Sequence, residues 1–248
     1  MRETLLAAYN GLSPAAQRLV RLLDALPVDH LSEADIICLA APPPQHAPDA
    51  PPAPVPPAPS ASAARRTTWT RALIDELVAA GLLQARPPHS GADPHPDSAP
   101  GQSRGPGQYG TDRSTRWWTI PPPARDLAHD RAAAEDDPAA QRQALLRMVD
   151  LRVWPAVLAA GLCLTLHQHR GRYPVPVPEP AVPTEGQARR WLLDHTGTVA
   201  AYARRLYALG YFERAWHLVN GLWPVWLLRK DYALRLELDL LAWHCACR

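Results

Sequence analysis

Three features of the sequence predict a mainly α-helical chain whose folded segments are interrupted by disordered, proline-rich insertions. Apolar residues recur at the three, four and seven residue offsets of a helix over most of the chain. The 29 prolines gather into a few tracts that carry no apolar period. Only two short stretches, Leu82-Leu83-Gln84-Ala85 and Arg116-Trp-Trp-Thr-Ile120, read as strands.

Ser13-Pro14 opens the first clear helix, with serine as cap and proline at the first helical position, and Leu19, Val20, Leu22, Leu23 and Leu26 follow until Pro27 ends it. Ser32 caps a second, with Asp35 in the capping-box position and Ile36, Ile37 and Leu39 as its apolar contacts. The span 42–62 is alanine and proline, cannot bury enough surface to fold, and reads as an extended spacer. A third helix is expected from Arg65 to Gly81, with Trp69, Leu73, Leu77 and Val78 as its apolar stripe and glycine as its stop. The two strand candidates then form a hairpin whose loop, within 86–115, is rich in Pro, Gly, Ser, His and Asp and is expected to be disordered. Pro121-Pro122-Pro123 leads into a fourth helix that ends near Glu135. With the insertions set aside, helix, helix, helix, strand, strand is the order of a winged helix-turn-helix unit, and residues 1–135 are expected to form one.

A second helical region, 139–248, starts at Ala139 and is helical through Leu166, with Leu145, Leu146, Val149, Trp154, Val157 and Leu158 as core candidates. After a proline-spaced connector, three helices are expected at about Gln187–Leu209, Tyr211–Lys230 and Asp231–Cys245. The middle one is apolar nearly all round: Trp216, Val219, Trp223, Trp226 and Leu227 line one face, and Leu218, Leu222, Val225 and Leu228 fill much of the rest. That pattern predicts a core helix of a helical array. Its uninterrupted apolar run, Gly221 to Leu228, is far below the roughly 20 residues of a membrane span.

Composition narrows the function classes. Formal charge is +2, and Lys230 is the single lysine, so the positive charge is almost all arginine and is spread along the chain. A nucleic-acid footprint would concentrate it on one face. Four cysteines, Cys38 and Cys163 among them in apolar helical patterns, do not make a disulfide framework. With no signal-peptide apolar region in the first residues, the expectation is a cytoplasmic protein with reduced thiols and no membrane partner.

Catalytic constellations are hard to find. No G-x-S-x-G or H-E-x-x-H occurs, and no serine lies beyond Ser114. Asp126, His129 and Asp130 share a helix face and could hold a metal, but a solvated face beside Arg125 and Arg131 is the simpler account. His244, Cys245 and Cys247, with Cys163, His167 and His169, have zinc-ligand chemistry without the usual paired C-x-x-C spacing. The sequence therefore predicts no enzyme, no cofactor and no catalytic or metal-binding residue. Candidate nucleic-acid or partner contacts are Arg65, Arg66 and Arg71 on the third helix, and Trp117 and Trp118, which as strand neighbours face opposite ways.

Leu12 to Leu23, Ala72 to Leu83 and Ala124 to Ala132 resemble the winged-helix region of actinobacterial STAND-type (NB-ARC) regulators. Arg190-Trp191-Leu192-Leu193, Ala215-Trp216, Leu222 to Arg229 and Asp231-Tyr232 resemble the start of the tetratricopeptide-like array that follows it. The family places a nucleotide-binding domain before the winged helix, whereas this chain has no G-x-x-x-x-G-K-[S/T]. Pro121-Pro122 stands where the family usually leads into a nucleotide-sensing His-Asp pair. The resemblance thus implies the sensor half of a regulator without its NTPase. Its partner would be another protein, such as a separately encoded NTPase or effector. DNA, with the third helix in the major groove, is the alternative, weakened because Asp75 and Glu76 offset the three arginines.

Overall fold

A computed structural model describes residues 2–41, 61–86, 116–164 and 184–248, apart from the side chains of 61–66, 162 and 163. The proposed disordered insertions lie largely outside these residues. The chain is mainly helical, with one small three-stranded antiparallel sheet, and divides into two compact units. The described residues of one are 2–41, 61–86 and 117–149; those of the other are 116, 150–164 and 184–248.

The first unit runs α1 (Arg2–Asn10), α2 (Pro14–Leu23), β1 (His30–Ser32), α3 (Glu33–Ala40), α4 (Ala61–Ala79), β2 (Gln84–Arg86), β3 (Trp117–Thr119), α5 (Pro122–Glu135) and α6 (Pro138–Met148). Ser13 caps α2 by accepting from Ala16 N at 3.3 Å, and Ser32 and Asp35 form a reciprocal capping box on α3. Helix α4 ends on Gly81 at φ 72°, where the Leu82 amide reaches back to Leu77 O at 2.9 Å, a turn that favours glycine because it needs a left-handed residue. Strands β2 and β3 pair in register Gln84 with Thr119, Ala85 with Trp118 and Arg86 with Trp117.

Two elements go beyond the sequence expectation. Helix α1 precedes the capped α2, and β1 pairs with the other edge of β3, so the sheet order is β1-β3-β2. Arg125 fixes the approach to β1, donating to Leu26 O and Val28 O and pairing with Asp29 at 2.9 Å, while Ile120 N bonds Asp29 O. Helix α4 starts at Ala61, before the expected Arg65.

Helix α6 belongs to this unit, which therefore extends past the expected boundary at 135. Ala144, Leu145 and Met148 are buried, and α6 is tied to its neighbours by polar bonds. Gln141 Nε2 donates to Arg21 O and Asp136 Oδ2, and Arg147 Nη1 donates to Ala41 O. Arg21 is the centre of this side of the unit. It donates to Tyr9 Oη (2.7 Å) and Glu135 (2.8 Å) and pairs with Asp136 (2.7 Å), joining α1, α2 and the end of α5.

The stretch expected to be helical from Ala139 is so through Cys163, with one change of pitch. A π-helical turn, Val149–Val153, separates α6 from α7 (Trp154–Cys163). Pro155 supplies the physical reason: it has no amide to give the preceding turn, and its ring crowds the carbonyl there, so the helix widens locally. Helix α8 (Glu185–Ala208) buries Ala188, Leu192, Thr196, Val199, Ala203 and Leu206 along one face. Gly210, at φ 82°, turns the chain into α9 (Phe212–Gly221), with Tyr211 N bonding Leu206 O at 2.9 Å.

The expected helix from Tyr211 to Lys230 is two. Pro224 interrupts it after α9, and α10 (Trp223–Leu228) follows. Ala215, Leu218, Leu222 and Val225 are wholly buried and Trp226 nearly so, but Leu227 is exposed and Trp223 partly so, which corrects the expectation of one helix buried all round. At Gly221 the chain comes so close to α7 that a Cβ would lie 2.2 Å from Val157 Cγ1. Helix α11 (Tyr232–Ala246), capped by Asp231, completes the unit. No helix among the described residues is long and apolar enough to cross a membrane.

Candidate interaction surfaces

On the first unit the candidate surface is the outer face of α4 and the strand beside it. Thr70, Leu73, Ile74 and Leu77 form the buried stripe of α4, at the spacing one helix face requires. The expected stripe was turned by one residue, because Trp69 is 46% exposed and Val78 is exposed as well. Trp69 thus joins the outer face, where sequence reasoning had not placed it.

Among the described side chains of this face, Arg71 is answered by a carboxylate. Arg71 Nε lies 2.6 Å from Glu33 Oε1 at the start of α3, and that hydrogen bond and charge push the Arg71 pKa further up. Asp75, one turn along, is exposed. Glu76 does not share the outer face: both its oxygens accept from Ser13, one from the backbone amide and one from the hydroxyl at 2.8 Å, so its charge supports the start of α2. Arg65 and Arg66 lie in the first turns of α4, and their side chains are outside the described residues.

On β3 the two tryptophans separate as alternation demands. Trp118 is 5% exposed and contributes to the core, so it is removed as a contact candidate. Trp117 is half-buried, in register with Ser32 on one side and Arg86 on the other. The surface that remains from the sequence-predicted set is therefore Arg71 and Trp117, with Trp69 added.

The candidate metal clusters take other partners. His129 Nδ1 is 3.1 Å from Asp24 Oδ1, and Asp130 is 2.5 Å from Arg2, at a shallow cleft lined also by Leu5, Pro123, Asp126 and Leu127. Cys245 is buried, which pushes its thiol pKa up, while Cys247 is exposed. The Cys163 side chain, His167 and His169 lie outside the described residues. Among those described, no three His, Cys, Asp or Glu side chains are grouped to hold a metal ion.

A second surface, unforeseen in the sequence, lies on the second unit. Helix α11 turns Leu238 and Cys245 inward, with Leu234, Leu241 and Ala242 half-buried beside them. Its opposite side exposes Tyr232 (67%), Leu236 (62%), Leu240 (49%) and Trp243 (63%), at successive offsets of four, four and three. The signal was present in the spacing, but a sequence does not say which of two apolar faces is covered. Flanking this stripe, Arg204 of α8 grips Glu237 through two bonds of 2.6 and 2.9 Å, and Arg235 pairs with Asp239 at 3.4 Å.

No family model matches this chain, and neither the curated proteins nor the solved structures yield a match.

Proposed function

We propose that the protein is a non-enzymatic regulatory module that binds another protein, resembling the sensor half of a STAND regulator. In this reading the first unit is a winged helix and the second the start of a tetratricopeptide-like array. Its support in the first unit is the order helix, strand, helix, helix, strand, strand, with sheet order β1-β3-β2. In the second it is the antiparallel-type hairpin turn at Gly210 and the succession of short helices that follows.

The observation that carries the functional part is the outer face of α4. Its described side chains offer an exposed tryptophan, an arginine already answered by Glu33 and an aspartate. Such a face suits a protein partner, for which aromatic residues and arginine are the favoured anchors. A duplex requires a surplus of cations to meet its phosphates. The partner is a separately encoded NTPase or effector, and the setting is the cytoplasm.

The competing DNA-binding reading is favoured by one observation: α4 stands in the position of a recognition helix, with Arg86 on the edge of the β2–β3 hairpin. A photoreactive phenylalanine analogue in place of Trp69, activated in the native host, separates the two. The expected adduct is a discrete protein that resists nuclease. A nuclease-sensitive adduct would overturn the proposal in favour of DNA.

A further inference from the structure

The outer side of α11 carries a pattern more specific than exposure. Ala233, Leu236, Leu240, Trp243 and Cys247 are all exposed and spaced three, four, three and four, the a/d repeat of a helix that packs along another helix. Leu238 and Cys245, with their half-buried neighbours, satisfy the inward face independently. Helix α11 therefore has two apolar sides, of which one is left uncovered among the described residues.

We propose that this side is a dimer seam, and that its occupant is α11 of a second copy of the chain, running antiparallel about a two-fold axis. Two observations argue for this occupant. The first is shape. With Leu236 of one copy opposite Leu240 of the other, the same register sets Ala233 opposite Trp243 at each end, so the smallest side chain of the seam meets the largest. A parallel pair would instead set tryptophan against tryptophan at one end and alanine against alanine at the other.

Charge works against this register, and the fold offsets it. The antiparallel pair brings Glu237 of the two copies towards each other across the axis, and Asp239 likewise, a like-charge approach that costs stability. Within each copy Arg204 holds Glu237 by two bonds and Arg235 pairs with Asp239, which reduces that cost. Arg204 also lowers the Glu237 pKa, chiefly by hydrogen bonding.

The second is area. Trp243 and the two leucines, with Tyr232 at the edge of the seam beside Ala233, offer about 500 Å² of apolar surface per copy, by the usual size of such side chains. Two copies together bury about 1,000 Å², the lower limit of a specific interface. The dimer is accordingly of modest affinity, with Kd on the order of micromolar. This seam is independent of the α4 face and of the partner proposed for it.

Sedimentation equilibrium on the full chain between about 1 and 100 µM tests the proposal. The expected result is a reversible monomer–dimer equilibrium that Leu240→Asp shifts to monomer throughout, with the helical circular dichroism unchanged. Ala233→Trp sets tryptophan against tryptophan and is expected to raise Kd about tenfold or more. Adding Trp243→Ala restores the small-against-large match and recovers dimerisation. A wild type that stays monomeric at 100 µM, as it would if another protein's helix were the natural occupant, overturns the proposal. So does a dimer indifferent to Leu240→Asp, or a double variant no better than Ala233→Trp alone.

Discussion

In the first unit, polar side chains tie the elements together: Arg21 joins Tyr9, Glu135 and Asp136, Glu76 holds Ser13, and Arg71 holds Glu33. The second unit has one such part-buried tie, Arg214 to Asp150, and adds a close apolar approach, Gly221 against Val157. The outsides differ in turn. Among its described side chains α4 presents an arginine paired with Glu33, an aspartate and one tryptophan, whereas α11 presents an unbroken apolar stripe. The same helical pattern thus yields two kinds of surface, and buried close packing in the second unit coexists with the more exposed hydrophobic face.

The largest expected effect breaks the apolar side of this comparison. In Gly221→Ala the new Cβ would lie 2.2 Å from Val157 Cγ1, so the Val157 side chain or the helices themselves must shift. Overpacking of this kind costs about 2–3 kcal/mol. Hydrogen exchange, read unit by unit, should show lost protection in α7–α9 and unchanged protection in α2–α5. A variant as stable as the parent would mean that the close approach is relaxed in solution.

Arg21→Ala is the matching break in the first unit. It leaves Glu135 and Asp136 without their common partner and strips a donor from Tyr9 Oη. A loss of about 2 kcal/mol is expected, the range for removing a charged hydrogen-bonding group from a part-buried network. Urea unfolding of the variant measures it, and a loss under about 0.5 kcal/mol would contradict the network's importance.

Acid tests the second unit through His217, which is buried between the Trp154 and Trp216 rings with centroids 5.4 and 5.0 Å away. Burial lowers its folded pKa, with Glu213 at 3.9 Å opposing. The unfolded chain, with histidine near about 6.5, then binds the proton more readily than the folded one. Its contribution is full above the unfolded pKa and is lost as pH falls below about 6.5, levelling off under the folded value. Melting temperature against pH should show this fall, and His217→Gln should flatten it.

The smallest expected effect is Arg204→Ala. The Arg204–Glu237 pair lies at the surface, so the monomer should lose no more than about 0.5–1 kcal/mol in urea unfolding. A larger loss would show that the outer side of α11 is part of the fold rather than a surface added to it.

Much of this architecture was legible where a single residue dictates the backbone. Ser13, Ser32 and Gly81 marked helix ends because caps and left-handed turns admit few residue types. β1 was not legible, since its three residues end on Ser32, which also caps α3, and only the pairing with β3 makes them a strand. Helix α1 carries no side-chain cap to announce it. Pro155 and Pro224 were visible, but an apolar period continued across both and concealed the change of pitch at one and the break at the other. At the candidate surfaces, alternation separated Trp118 from Trp117. Trp69 was misplaced because tryptophan was read as core, when Thr70 fills that position instead.

The charge balance of α4 is the feature on which the functional proposal turns, and duplex binding measures it most directly. Fluorescence anisotropy with pools of mixed-sequence duplex DNA at several salt concentrations should give weak binding with a shallow salt slope, little altered when Arg65, Arg66 and Arg71 are replaced together by alanine. Tight, sequence-selective binding with a steep salt slope, abolished in that triple variant, would contradict the account and make the protein a DNA-binding regulator.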